Sequence, residues 1–288
     1  MLTVLAPAKL NLTLEVLSRR RDGFHEIRSV IQTINLCDSL SFQIGENIEF
    51  RSYLPEWIAE ESLVSRAASL LRGVTGCSQG AVIEVSKRIP LVSGLGGDSS
   101  DAAAVLRGLN QLWGLELSRD ELLELAVQLG SDVAFFLYGG TALVEGRGEV
   151  VTPLPPLHHR WVVLIMPSVP GLPGKTKQLY DALRASHYTD GQITRRLVEE
   201  LKAGKEFTSS LLFNTFENVA FTLFSGLSVS REHIVKIGAG NIRLAGSGPA
   251  LFTLLKDRAK AEELYTRLKQ QGLKSYLAET LAVIEQVE

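Results

Sequence analysis

From Pro90 to Ala104 the chain reads Pro-Leu-Val-Ser-Gly-Leu-Gly-Gly-Asp-Ser-Ser-Asp-Ala-Ala-Ala and runs on into Val105, Leu106, Leu109 and Trp113. With Ala102, these apolar residues recur at spacings that line one helix face, so the segment is a glycine-rich turn feeding directly into an amphipathic helix. Glycines let backbone N–H groups approach a ligand closely, and the unpaired amides at the start of the helix attract anions. Such a turn cradles a phosphate, or it simply starts a well-capped helix, since Ser99, Ser100 and Asp101 are all good capping residues.

Two familiar phosphate loops are excluded. Gly174-Lys175-Thr176 ends like a P-loop, but Val169 stands where that loop needs glycine, and Pro170 and Pro173 stiffen the turn. Gly94-Leu-Gly96 begins like a dinucleotide fingerprint, yet its sixth position is Ser99. A kinase catalytic loop of the His-Arg-Asp type is also absent.

Around this loop the periodicity is mixed. Leu2 to Val16 alternates as a half-buried strand does, and β-like runs follow at 28–36, 39–44 and 81–86. Helical spacing returns at Leu63, Ala67, Leu70 and Leu71, and Ser118 with Glu121 forms a capping box for a helix that Gly130 stops. After Pro153, Pro155 and Pro156 comes an apolar strand, Trp161 to Met166, and a domain boundary is placed there. Helices are expected around 177–185, up to about 202, and at 257–271, with strands near Ile242, at 250–255 and at 281–287. Without a regular βαβ repeat, the expected class is α+β.

Charge and cysteine usage narrow the partners. Thirty Lys and Arg stand against 32 Asp and Glu, which lacks the basic excess of a nucleic-acid binder. Cys37 and Cys77 lie far apart without zinc-ligand spacing, and no run of about 18 apolar residues occurs, so a cytoplasmic protein with no membrane or nucleic-acid partner is expected.

Three segments resemble the motifs of the GHMP small-molecule kinases, the superfamily of galactokinases, homoserine kinases and mevalonate kinases. They are Ala6-Pro-Ala-Lys9-Leu-Asn11-Leu, the glycine-rich segment from Pro90, and Leu244-Ala-Gly246-Ser247-Gly248-Pro-Ala-Leu-Phe. Arg21-Asp22-Gly23-Phe24-His25-Glu26 and Leu129-Gly-Ser-Asp132-Val-Ala-Phe-Phe136 are most similar to the branch whose acceptor is a cytidine-diphosphate-linked polyol, with Phe24 in place of that branch's tyrosine.

The resemblance implies a two-domain fold: a domain like the second domain of ribosomal protein S5 over residues 1–156, and a ferredoxin-like domain over 157–288. It implies ATP and Mg²⁺ as cofactors, with the metal ligands unassigned. Pro90, Gly94, Leu95, Gly96, Gly97, Ser99 and Ser100 would contact ATP, with Ser62 on the adenine side. Lys9 and Asp132 would be catalytic, and Asn11, Phe24, His25, Thr176, Tyr180, Gly246 and Ser247 would bind the small-molecule acceptor. The chain would act as a monomer or weak homodimer. Taken alone, Asp132 also reads as a helix cap, Asn11 as an outward strand residue, His25 as a loop histidine and Tyr180 as a core residue.

Two departures from the superfamily pattern stand out: Asp98 where a small neutral residue is usual, and Ser62 where an amide is usual. A carboxylate facing a triphosphate repels it unless it turns away or meets Mg²⁺. A GHMP kinase for another alcohol, such as homoserine or mevalonate, or an inactive nucleotide-binding relative, therefore remains open at this point.

Overall fold

The alternating start of the chain builds β1 (Leu2–Arg19), and the two runs that follow form one strand, β2 (His25–Gly45), instead of two. Asp38 reads as a break because a lone carboxylate is costly inside a sheet. Here it is fully buried and satisfied, accepting from the Arg88 and Ile89 amides at 2.5 and 2.8 Å and from Lys87 Nζ at 2.5 Å. The computed structural model describes residues 1–283.

The first half continues with β3 (Ile48–Ser52), α1 (Leu63–Thr75), β4 (Gly80–Ser86), α2 (Gly97–Leu112), α3 (Arg119–Leu129), α4 (Val133–Tyr138), β5 (Thr141–Gly146) and β6 (Val150–Pro153). The capping box at Ser118 and Glu121 is present, and Gly130 ends α3. The second half holds β7 (Trp161–Met166), α5 (Lys175–Ala182), α6 (Gln192–Lys202), β8 (Phe213–Asn214), α7 (Glu217–Leu223), α8 (Leu227–Ile237), β9 (Arg243–Leu244), β10 (Leu251–Leu255), α9 (Arg258–Gln270) and β11 (Lys274–Glu279). The strand expected at 281–287 lies earlier, at β11. Residues 284–287 of that expectation fall outside the described residues.

Two sheets result, and the class is α+β. The first runs β3-β4-β2-β1-β8, with β5 paired to the other end of β2 and β6 paired to β5. The second runs β11-β7-β10-β9, all antiparallel, which is the strand order of a ferredoxin-like split βαβ unit. Side chains alternate across β7: Val162 and Leu164 face the layer shared with Leu10, Leu12 and Ile34, while Val163 and Ile165 face Leu264 and Leu268 of α9. The four helices of the first half pack on the other face of the first sheet through Ala6, Leu40, Phe42 and Ile83. Among the described residues, no helix is long and apolar enough to cross a membrane.

Candidate active site

The period of two in β1 puts Lys9 and Asn11 on one face while Ala8, Leu10 and Leu12 enter the core on the other. Lys9 Nζ donates to Asn11 Oδ1 at 2.7 Å, and Asn11 Nδ2 donates to Ser29 Oγ at 2.8 Å. The Lys9 amide donates to the Leu95 carbonyl at 2.9 Å, tying β1 to the glycine-rich loop. Opposite stands Asp132, just before α4, with Oδ2 3.3 Å from Lys9 Nζ. Its side chain caps no amide of α4. The helix-cap reading of Asp132 therefore fails, and its carboxylate, 34% exposed beside a lysine that is only 6% exposed, is presented to the cavity.

The glycine-rich loop packs between β1 and the 245–248 turn. At Gly94 the backbone lies at φ +89° and a Cβ would fall 2.1 Å from the Ala245 carbonyl oxygen. At Gly96, φ is +75° and a Cβ would meet the buried Phe136 ring at 2.9 Å and Lys9 Cγ at 3.0 Å. Any side chain at Gly96 thus disturbs the fold as well as a ligand, so substitution there does not isolate phosphate binding.

A cavity of about 890 Å³ lies over these groups. It is lined by Lys9, Asn11 and Asp132; by Pro90, Gly94, Gly96, Gly97 and Ser99 of the loop; by Ser62; and by Phe24, His25, Thr176, Tyr180, Gly246 and Ser247. Two residues expected in the site do not line it. The Leu95 side chain is buried in the core between the sheets, and Ser100 is buried on α2. Only their backbones are near the loop: the Leu95 carbonyl is taken by Lys9, and the Ser100 amide donates to the Gly96 carbonyl at 2.9 Å.

Asp98 also lines the cavity, and its carboxylate is bonded to the start of α1. Its carboxylate accepts from the Ser62 hydroxyl and, at 3.2 Å, from the Leu63 amide, where unpaired helix N–H groups favour an anion.

Also lining the cavity, the His25 and Tyr180 rings stack with centroids 4.6 Å apart and planes 17° apart. Phe216 meets Tyr180 edge-on at 4.8 Å, and Tyr188 meets His25 edge-on at 6.0 Å. Burial, with Arg19 nearby, holds the His25 imidazole below its ordinary pKa, while Asp181 works the other way. A neutral imidazole offers one donor and one acceptor. Phe24 is 53% exposed, with the Arg147 guanidinium 4.8 Å from its ring centroid.

Sequence reasoning missed several cavity residues, among them Trp57, Ile58, Lys87 and Lys175. Lys87 is buried between Asp38 and Asp101 at 2.5 Å from each. Burial and the Asp38 charge hold the Asp101 carboxyl well above the ordinary range, while the Lys87 ammonium opposes them. For Lys87 burial works downward, and the Asp101 and Asp38 carboxylates together outweigh it and raise the ammonium. Lys175 stands next to Thr176 in the segment that ends at Tyr180, but in the sequence nothing sets it apart from the exposed Lys177.

The glycine-rich loop, the Lys9–Asp132 pair and the two-sheet architecture define a small-molecule kinase of the GHMP class. Residues 62–140 match the model of the GHMP kinases N terminal domain, and 195–274 match that of the GHMP kinases C terminal. A 4-diphosphocytidyl-2-C-methyl-D-erythritol kinase of Dehalococcoides mccartyi is 52% identical over 285 residues, covering 99% of this chain and 100% of that protein. One from Brevibacillus brevis is 37% identical, covering 93% and 92%. A crystal structure of 4-(cytidine 5'-diphospho)-2C-methyl-D-erythritol kinase superposes with a TM-score of 0.81 at 33% identity, covering 97% of this chain and 99% of that one. The chain belongs to the 4-diphosphocytidyl-2-C-methyl-D-erythritol kinase family.

Proposed function

We propose that the protein transfers the γ-phosphoryl group of ATP to the 2-hydroxyl of 4-diphosphocytidyl-2-C-methyl-D-erythritol, giving the 2-phosphate and ADP in non-mevalonate isoprenoid precursor synthesis. The observation that carries this reading is the Lys9–Asp132 pair at 3.3 Å, facing a cavity with the glycine-rich loop on one side and the His25–Tyr180 stack on another. The acceptor oxygen attacks the γ-phosphorus as the bond to the β,γ-bridging oxygen breaks, and the hydroxyl proton passes to the Asp132 carboxylate. Phosphoryl transfer asks a protein mainly for positioning and charge stabilisation. Lys9, held by Asn11, supplies fixed positive charge beside the developing phosphoryl charge. Backbone amides of Gly96, Gly97 and Ser99 cradle the triphosphate, with Trp57, Ile58 and Ser62 walling the adenine end.

Among the described residues no cluster of three His, Cys, Asp or Glu could hold a metal. Mg²⁺ in kinase sites needs fewer protein ligands, because phosphates and waters complete its shell. The Ser99 hydroxyl, lining the cavity, would fit that requirement beside phosphate oxygens and waters, whereas the Asp98 carboxylate is engaged at α1. Bound Mg²⁺ would neutralise phosphate charge.

Cytosine presents a hydrogen-bonding edge and two π-faces. His25 offers the edge contact, and Phe24 and Tyr180 offer rings. The His25 ring covers one face of Tyr180, so a base that uses this face displaces it. Asn11, Thr176, Gly246 and Ser247 would hold the polyol and its diphosphate. We divide the chain near residue 156 into an ATP-binding part and a part that closes over the acceptor, and read it as a cytoplasmic monomer or weak homodimer. The deciding experiment compares ATP-dependent phosphorylation of this acceptor with that of mevalonate, homoserine and galactose; turnover on one of the latter alone overturns the reading.

A further inference from the structure

Lys175 opens α5 and is only 8% exposed, yet it lines the cavity. Its Nζ donates to Ser247 Oγ at 2.9 Å and to the Gly248 carbonyl. An ammonium has three N–H donors, so one is left. Both partners are neutral. Among the described residues Lys175 forms no ion pair, whereas the cavity's other buried lysines do: Lys9 with Asp132, and Lys87 with Asp38 and Asp101.

The charge acting on Lys175 has the wrong sign to stabilise it. Lys9 lies close by, since a Cβ on Gly246 would be 3.1 Å from Lys9 Nζ, and residues 247 and 248 of the same turn hold Lys175. Burial and the Lys9 charge push the Lys175 ammonium down to about 7. Buried charges are ordinarily paired, because an isolated one forfeits its hydration without compensation. A clip between α5 and the 247–248 turn would work as well with a neutral donor. A buried cation that has no counter-ion and faces a cavity is the arrangement expected of a site completed by an anionic ligand.

We propose that Lys175 is a phosphate-binding residue, its free N–H donor reaching an oxygen of a phosphate group in the cavity and supplying, with Lys9, a two-lysine clamp. This rests on the phosphoryl-transfer reading above, which brings two candidate phosphates to the cavity: the γ-phosphoryl group of ATP and the diphosphate of the acceptor. Both have the same chemistry, and ligand binding separates them.

The test is calorimetric titration of Lys175→Met with the non-hydrolysable ATP analogue AMPPNP plus Mg²⁺, and separately with CDP, together with steady-state kinetics and melting. A charge-assisted hydrogen bond in a partly dry site corresponds to a loss of about 10- to 100-fold in affinity. Weakening confined to AMPPNP assigns the contact to ATP, and weakening confined to CDP assigns it to the acceptor's diphosphate. A fall in kcat alone assigns it to the phosphoryl group in transfer. Because the variant removes an unpaired buried charge, it should melt at or above the wild-type temperature, opposite to the loss of a structural clip. Should Lys175→Met fail to fold, Lys175→Gln, which keeps donors for Ser247 and Gly248, is read in the same way. Unchanged affinities and kinetics in either folded variant overturn the proposal. A wild-type protein that turns over no cytidine-linked acceptor overturns the functional reading instead, and leaves the AMPPNP arm to test Lys175 by itself.

Discussion

The Ser62 hydroxyl donates to the Asp98 carboxylate, which also accepts from the Leu63 amide at 3.2 Å. The two departures from the superfamily pattern are therefore one interaction that joins α2 to the start of α1. Asp98→Ala should cost about 0.5 to 2 kcal/mol of stability, the usual range for a lost helix cap. Ser62→Ala, which also removes the α1 cap that Ser62 makes to the Val64 amide, should cost a similar amount, and the double variant less than the sum, because both remove the Ser62–Asp98 contact. Denaturant titration of the four proteins measures this. The KM for ATP should barely move in Asp98→Ala, since the carboxylate's hydrogen bonds are made to Ser62 and Leu63 at the start of α1; a large improvement in KM would mean that it repels the triphosphate after all.

Asp132→Asn should lower kcat by roughly 10² to 10⁴, the usual contribution of a positioned base, while CDP binds nearly as before. Lys9→Met should also lower kcat. The double variant should fall little further, since the two groups act as a unit. Near wild-type turnover in Asp132→Asn would remove it from the mechanism.

Tyr180→Ala should raise the KM of the cytidine-linked acceptor about 10- to 100-fold, the range expected for losing a base–aromatic stack, with ATP affinity unchanged. His25→Ala should act in the same direction and relax discrimination between cytidine and uridine diphosphate analogues, because a missing edge partner no longer penalises the wrong base. Competition binding with CDP and UDP provides the readout.

Lys175 has a sign-specific signature in pH. Its ammonium is pushed below the ordinary lysine value, to about 7, by burial and by Lys9. Between that value and the unfolded value of about 10.4, the unfolded chain binds more protons, so this group makes stability rise with pH across the window. The penalty is full below pH 7. The stability difference between Lys175→Met and wild type should accordingly be largest in favour of the variant below pH 7 and shrink toward pH 10. A flat difference profile would place the lysine's titration elsewhere.

Lys87→Met leaves the buried Asp38 and Asp101 carboxyls without their cation. Breaking one side of such a cluster costs about 3 to 5 kcal/mol, so this variant should be far less stable than Lys175→Met. Thermal melts of the two side by side make the comparison.

Much of this arrangement can be read from the chain because its cause is local. Alternation in β1 puts Lys9 and Asn11 on one face, and Ser118 with Glu121 marks α3 to the residue. Asp38 misleads because its partners, Lys87 and the amides at 88 and 89, come from about 50 residues away. β11 is hidden by its polar residues, Lys274, Ser275 and Glu279, and is a strand because β7 provides an antiparallel partner. β8, two residues long, carries no periodicity at all. Lys175 is hidden for a similar reason: its burial depends on a turn more than 70 residues further along.

The parallel pairing of β8 with β1 has a bearing on synthesis. Thr13 and Leu14 meet Phe213 and Asn214, and the Val16 amide donates to the Thr215 hydroxyl across 199 residues. On the ribosome, β1 emerges first and finds β2 at once, but the Thr13–Leu14 stretch of its other edge stays without its strand partner until the chain has grown past Thr215. An open strand edge invites pairing with other chains. A nascent chain stalled before that point should thus be the species that recruits chaperones or associates with its neighbours, and one translated through α7 should have closed the edge itself.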